Sequence, residues 1–576
     1  MDGLPEELNR LAERLETLER RVHALEHPSE AAIPFAAQQA VQLPAAQAVA
    51  AAPALSGEPA SSMAGGAFAV FGRAMLGIAG AYLLRAVAES SVLPRMAVAA
   101  IAILYALAWL LGASRVKAGN WLAGITYAGT SALILAPMLW ELTLRFKVLP
   151  APITAAVVCG FSIAATVLAW KRALAPVYWV TNVTAAAIAL TLSIASHQMA
   201  PFIAVLLAMT LIGEYCAAND QDSGVRIVVA MAADVALWVL IYIYTSPQSV
   251  RADYPSISEV TLLVPGFALF AIFASSVILK TVVRGKNISV FETIQTMIAF
   301  LLAACGLLYF GPHIGAAVLG VSCIALSAAS YAVTFACFDR AASRDSAARN
   351  YLVFANWSAA LLLAGSMLCL SPWMMTVCLG AAAIVAAVVG ERMQRQTIEF
   401  HGLVFLVAAA AVSGLLNHVL QAMAGLLPGA PWWTIYVAAA CAVVCYAVVK
   451  PCQNERWKQQ ALHLAFASLA VGAAAGLLVQ GLVGLIGLSV IPGAHHVAFI
   501  RTLTICVAAL ALAYSGAHWR RMELTRIGYA ALALVAVKLV FEDLRHGHLE
   551  FIAASIFLFA ITLIAVPRVA RMRQQV

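Results

Sequence analysis

The chain has 576 residues, 63% of them hydrophobic and 11% charged, with a mean hydropathy of +0.90. Soluble domains carry about 45–50% apolar and about 25% charged residues, so a water-soluble globular class is excluded. The formal net charge of +8 is spread over many short gaps rather than one patch, so no nucleic-acid partner is expected.

Residues 1–28 form a unit of their own. Leu4, Leu8, Leu11, Leu15, Leu18, Val22 and Leu25 alternate spacings of four and three, the seam of a coiled coil. Arg14 and Glu19, and Arg21 and Glu26, stand in the relation that pairs flanking charges across a parallel dimer. The expected partner is a second copy or another protein, the alternative being an amphipathic helix lying on the bilayer. Residues 29–66 are rich in Ala, Pro, Gln and Ser and keep no period, which is expected of a flexible tether. No apolar core lies near residue 10, so no cleavable signal peptide is expected, and the first apolar stretch, Phe68 to Val87, reads as an uncleaved signal anchor.

Residues 67–576 contain about eighteen apolar stretches, each roughly long enough to cross a bilayer. The expected fold is all-α: a polytopic transmembrane helical protein of about 18 spans with an N-terminal coiled-coil helix. Trp109, Trp121, Trp140, Trp170, Trp179, Trp373, Trp432, Trp433, Trp457 and Trp519 fall near span ends, where an amphipathic ring prefers the headgroup layer. Lys and Arg collect in every second gap, from Arg115 and Lys117, through Arg226, Lys280, Arg284 and Lys286, to Arg520, Arg521 and the final Arg568, Arg571 and Arg573. About 22 cations fall on that face, against six on the other: Arg95, Arg145, Lys147, Arg251, Arg501 and Arg545. The positive-inside rule then places both termini in the cytoplasm, for a chain in a bacterial cytoplasmic (inner) membrane.

Two stretches test this scheme. Gln480 to Pro492 is apolar and Gly-rich but too short to cross, so it either extends the preceding helix or dips back into the membrane. Gly213-Glu214 and Gly390-Glu391 close the sixth and twelfth spans, a faint sign of six-span blocks. Gly77 with Gly80, and Gly472 with Gly476, read as close helix contacts.

Asp234 is the outstanding polar residue. Eight residues into its span it lies about 12 Å deep, where a carboxylate is costly unless paired, protonated or wet. Trp238 and Tyr242 follow at helical spacing, and the structural alternative is a protonated Asp bonded to Asn182 or Asn356. A second group sits at span ends on the less basic face: Arg85 with Glu89, Glu141 with Arg145, and Lys538 with Glu542 beside Asp543. Each pair is able to satisfy itself one turn apart; were spans one, three and seventeen to meet, they would instead line a vestibule. These residues, with Asp234 and Trp238, are the candidates for a substrate or ion pathway.

Histidines 197, 313, 418, 495, 496, 546 and 548 also fall near that face, without the spacing of a ligand set, so no metal is expected. None of the 11 cysteines lies in a long external loop and there is no Cys-x-x-Cys, so neither a disulfide framework nor a zinc site is expected. Walker, His-Glu-x-x-His and Gly-x-Ser-x-Gly motifs are absent, and no cofactor or catalytic residue is assigned. Asp220-Gln-Asp222 has the form of a sugar-transferase metal motif but falls on the basic side, the wrong one for lipid-linked sugars.

The run Gly80-Ala-Tyr-Leu-Leu-Arg-Ala-Val-Ala-Glu89 with Pro94 and Arg95, together with Gly72-Arg73, Trp140-Glu141 and Arg145, resembles a bacterial family of many-span membrane proteins, domain of unknown function 2339. The likeness in organisation, a coil, a tether and an array of spans, covers almost the whole chain; the local matches cover about the first 150 residues. The resemblance implies no catalytic residues. The leading expectation is transport or presentation of a small or lipid-like solute in the envelope. The alternatives are a non-enzymatic scaffold recruiting partners through the coil, and a membrane enzyme acting on a lipid-linked substrate with external acids such as Glu89, Glu141, Glu542 and Asp543.

Overall fold

The computed structural model describes residues 60–90, 94–116, 121–172, 174–220, 224–311, 313–338, 345–423, 431–450, 457–487, 494–543 and 549–571. The seam from Leu4 to Leu25 lies outside the described residues, as do most of the tether and His546 and His548. Among the described residues there is no strand. Among the described residues, nineteen helices of eight residues or more follow one another: α1 (Ala60–Ser90), α2 (Arg95–Ser114), α3 (Trp121–Trp140), α4 (Ala151–Arg172), α5 (Ala175–Ala195), α6 (Met199–Ala218), α7 (Val225–Thr245), α8 (Glu259–Ile278), α9 (Val290–Phe310) and α10 (Gly315–Val333), then α11 (Asp345–Cys369), α12 (Pro372–Met393), α13 (Gln396–Val412), α14 (Leu415–Met423), α15 (Trp433–Val448), α16 (Trp457–Gly487), α17 (Ala494–His518), α18 (Met522–Lys538) and α19 (Leu549–Arg571). A backbone crossing lipid has no water to bond, so apolar runs of this length close their hydrogen bonds internally as helices. Pro94, Pro176 and Pro372 stand at helix starts, where the missing N–H costs nothing.

Among the described residues, sixteen helices are long and apolar enough to cross a membrane, or seventeen if one bent pair is counted as a single span. The chain is a multi-pass membrane protein. Two of the eighteen expected spans differ in form. The thirteenth is broken: α13 and α14 diverge by 72°. Gly414 takes φ +82° there, the left-handed value that ends a helix. The groups freed by the break are satisfied locally and from α15. The Ser413 hydroxyl donates to the Ala410 carbonyl and accepts from the Leu415 N–H, and Thr434 donates to the Ser413 carbonyl. A Cβ at Gly414 would meet no atom within 4 Å, so Gly414→Ala tests backbone strain alone. It is expected to cost about 1 kcal/mol, read as a lower melting temperature in detergent; a loss above about 3 kcal/mol would contradict that account. The fourteenth stretch, α15, has 16 residues, short of the roughly 20 that span a hydrocarbon core. Over 480–487 the Gly-rich stretch simply continues α16, and residues 488–493 lie outside the described ones.

Small residues set the packing. Ala106, Ala113, Ala128, Ala165, Ala185 and Ala189 are fully buried in one core that runs from α2 to α9, while a second gathers α11, α12, α13, α15 and α16. In lipid, close backbone approach replaces the hydrophobic drive between helices. Gly77 and Gly80 of α1 lie against Trp109, Thr130 and Tyr105, whose hydroxyl donates to the Gly77 carbonyl at 3.1 Å. Gly472 and Gly476 of α16 seat Val419 of α14.

The hairpins α12–α13 and α17–α18 share one geometry. Gln394 and Arg520 turn with φ +52° and +56°, and the next N–H closes onto the Gly390 or Gly516 carbonyl at 3.0 and 2.9 Å. Beyond the turn, Gly402 packs on Ala383 and Ala387 as Gly528 packs on Ala509 and Ala513. Gly390 therefore matches Gly516 in contact as well as in position, an interval other than the six spans suggested by Gly213.

Candidate functional site

Charge concentrates where four helix ends converge: the last turn of α6, the first of α7 and of α9, and a π-helical turn, Leu279–Val283, that prolongs α8. Widened turns of this kind recur at functional sites because they displace side chains from the α register. Ser289-Val-Phe-Glu292 is a capping box that starts α9: the Ser289 hydroxyl accepts from the Glu292 N–H, and the Glu292 carboxylate accepts from the Ser289 N–H at 2.8 Å. That carboxylate also accepts from Lys280 Nζ at 2.6 and 2.9 Å and from Arg226 Nη1 at 3.2 Å. Arg226 lies 3.4 Å from Glu214, whose other oxygen accepts from the Ser276 hydroxyl at 2.5 Å. The Arg226 guanidinium also sits 5.2 Å over the Phe291 ring. Glu214, Glu292 and Arg226 are nearly inaccessible, and Lys280 is partly open.

These groups wall a cavity of about 300 Å³ together with Asp220, Arg284 and Lys286 at its mouth. Lys286 pairs with Asp220 at 2.6 Å, and its hydrogen bond and charge hold the Asp220 carboxyl below the usual range. Asn350 of α11 pins the loop beneath, donating to the Lys286 carbonyl and accepting from the Ile288 N–H. Two buried acids and two cations thus balance inside, with charged residues of both signs at the rim.

The polar line continues inward. Gln295, one turn beyond Glu292 and about 4.5 Å further along α9, is buried and donates from Nε2 to both oxygens of Asp234 at 2.8 Å. Gln295, not Asn182 or Asn356, is therefore the partner of Asp234. Asn182 bonds Ser162 and Thr166, and Asn356 bonds His401. Among the described residues no cation pairs with Asp234. An amide lessens the cost of a carboxyl in lipid but does not neutralise its charge. Trp238 stands elsewhere: it is 59% exposed on the outer surface of α7 and stacks on Tyr242 at 5.8 Å, so it does not line the cavity.

The span-end candidates form two separate groups. Spans one and three do meet, and two pairs cross between them beside one local pair. Arg85 reaches Glu141 at 2.9 Å and Arg145 reaches Glu89 at 3.0 Å, with Arg85–Glu89 looser at 3.5 Å. Glu141 sits on a second π-helical turn, Glu141–Arg145, and its Oε2 is buried without a hydrogen bond. Lys538, the last residue of α18, and Glu542, on another π-helical turn, Leu539–Asp543, join Arg501 of α17 instead. Among the described residues no ion pair links the two groups. The side chain of Asp543 lies outside what is described.

No family model, curated protein or solved structure matches the chain.

Proposed function

We propose that this protein moves or presents a small or lipid-like solute in the envelope, from the bacterial cytoplasmic membrane, with Asp234 as the residue that takes up and releases a proton. The observation that carries the reading is the pairing of Asp234 with a neutral amide and, among the described residues, no cation, at the inner end of a polar line that begins in the charged cavity of α6 to α9. Intramembrane acids without a fixed cation are costly as structure and serve proton relays in transporters. The sequence holds no nucleotide-binding motif, which favours ion-driven or passive movement.

The orientation has the cavity opening to the cytoplasm, because Arg226, Lys280, Arg284 and Lys286 belong to the basic face. Reporter fusions after Arg115, Arg172, Arg340 and Arg573 are expected to report cytoplasm, and fusions near Arg251 and His496 the opposite side. A reporter at Arg340 reading external would break the threading. Function itself is tested by proton uptake into proteoliposomes: wild-type protein is expected to conduct above protein-free vesicles, and Asp234→Asn is not. Uptake that survives the substitution would remove the reading.

A further inference from the structure

A second charged pocket lies between α17 and α18, at the ends away from their Trp519–Arg521 turn, and the α6–α9 reading does not use it. Arg501 and Lys538 are 4% and 6% exposed. Lys538 Nζ donates to the Ala498 carbonyl and the Thr502 hydroxyl, each at 2.8 Å, and lies 3.8 Å from Glu542. Arg501 Nη1 donates to the other Glu542 oxygen, while Arg501 Nε is buried and makes no hydrogen bond. A cavity of about 360 Å³ opens beside them. Its remaining wall is apolar, and Val537 and Phe541 in that wall are 54% and 74% exposed.

We infer that this pocket binds the phosphate group of an anionic membrane lipid. Burying a guanidinium and an ammonium together costs several kcal/mol per ion, and Glu542 leaves the Arg501 fork only partly used. A guanidinium presents donors in a plane that fits phosphate oxygens, and an unbonded Nε is the donor such an oxygen would meet. Depth agrees with a headgroup: Arg501 lies seven residues past Ala494, roughly 10 Å along α17 from its end. The exposed Val537 and Phe541 distinguish a lipid from a free ion, because acyl chains would lie along them while the phosphate enters between the helices. Glu542 is the internal anion that holds Arg501 in place when the pocket is empty.

The test uses the full chain in mild detergent, with melting temperature followed during titration with phosphatidylglycerol, phosphatidylcholine or inorganic phosphate. Phosphatidylglycerol is expected to raise the midpoint, and the other two are not. Arg501→Gln is expected to weaken the phosphatidylglycerol response about tenfold in half-saturating concentration, the size of one charge-assisted hydrogen bond. Glu542→Gln removes the competing anion and is expected to strengthen it. Equal responses to phosphatidylcholine, or an unchanged response in Arg501→Gln, would overturn the site. A response to inorganic phosphate equal to that for phosphatidylglycerol would overturn the lipid assignment in favour of the free anion. Should Arg501→Gln fail to fold, the Glu542→Gln titration decides, and an unchanged half-saturation there would overturn the proposal.

Discussion

Replacing Glu292 by glutamine is expected to destabilise the protein by about 3 kcal/mol, the usual cost of removing one partner from a buried ion pair. The substitution is narrow. Glutamine keeps the size of the side chain and an oxygen for the Ser289 N–H, so the capping box survives. What disappears is the charge that holds Lys280 at 2.6 and 2.9 Å and Arg226 at 3.2 Å. Glu214 already accepts from Ser276 and lies 3.4 Å from Arg226, so it does not replace both bonds. The partly open Lys280 has a route to water and Arg226 has none, which places most of the cost on the arginine. Thermal unfolding in detergent reads the loss, and Lys280→Met added to Glu292→Gln is expected to return part of it, because one stranded cation goes. An unchanged midpoint in the single variant would show that water, rather than Glu292, compensates the two cations.

The second large effect belongs to Asp234. Asparagine preserves its shape and an acceptor for Gln295 but cannot titrate. Asp234→Asn is therefore expected to insert and melt like the wild type while losing proton uptake altogether. Asp234→Leu removes the acceptor as well. It leaves the buried Gln295 amide without its bond, at an expected cost of about 1–3 kcal/mol. The two variants separate the roles: loss of uptake with normal stability in Asn means proton chemistry. A silent Asn and a merely unstable Leu mean that the carboxyl only ties α7 to α9.

The helical class and the succession of spans were legible in the sequence because both are written in runs. Apolar length needs no tertiary contact to be read, and the spans predicted there are the helices observed among the described residues, with two exceptions. Those exceptions have local causes that hydropathy does not register. Gly414 breaks α13 through a single dihedral, and α15 is apolar throughout but a turn short. Asp234 stood out because a charge in an apolar run is conspicuous alone. Its partner did not: Gln295 lies 61 residues away, and only the packing of α7 on α9 brings them together. The same holds for the cavity. Glu214 read only as the close of a span, Arg226 and Lys280 only as basic-face charges, and Glu292 was not singled out; their convergence depends on which helices are neighbours. The capping box at Ser289 and Glu292 emerged only from the structure, where the same carboxylate also binds Lys280 and Arg226. Arg501 was likewise counted with the sparse charges of the less basic face, although its side chain is buried against α18. For Arg85 and Glu141 the spacing suggested local pairs, and the crossed pairing of α1 with α3 overrode it.

As a proton carrier, the Asp234 carboxyl is expected to exchange its proton with water inside the membrane. Infrared difference spectroscopy of the reconstituted protein across a pH titration tests it directly. The account predicts a carboxyl carbonyl band that appears and disappears with bulk pH in the wild type and is absent from Asp234→Asn. A band assigned to Asp234 that stays constant over the whole titration would contradict it, and would make Asp234 a fixed tie between two helices.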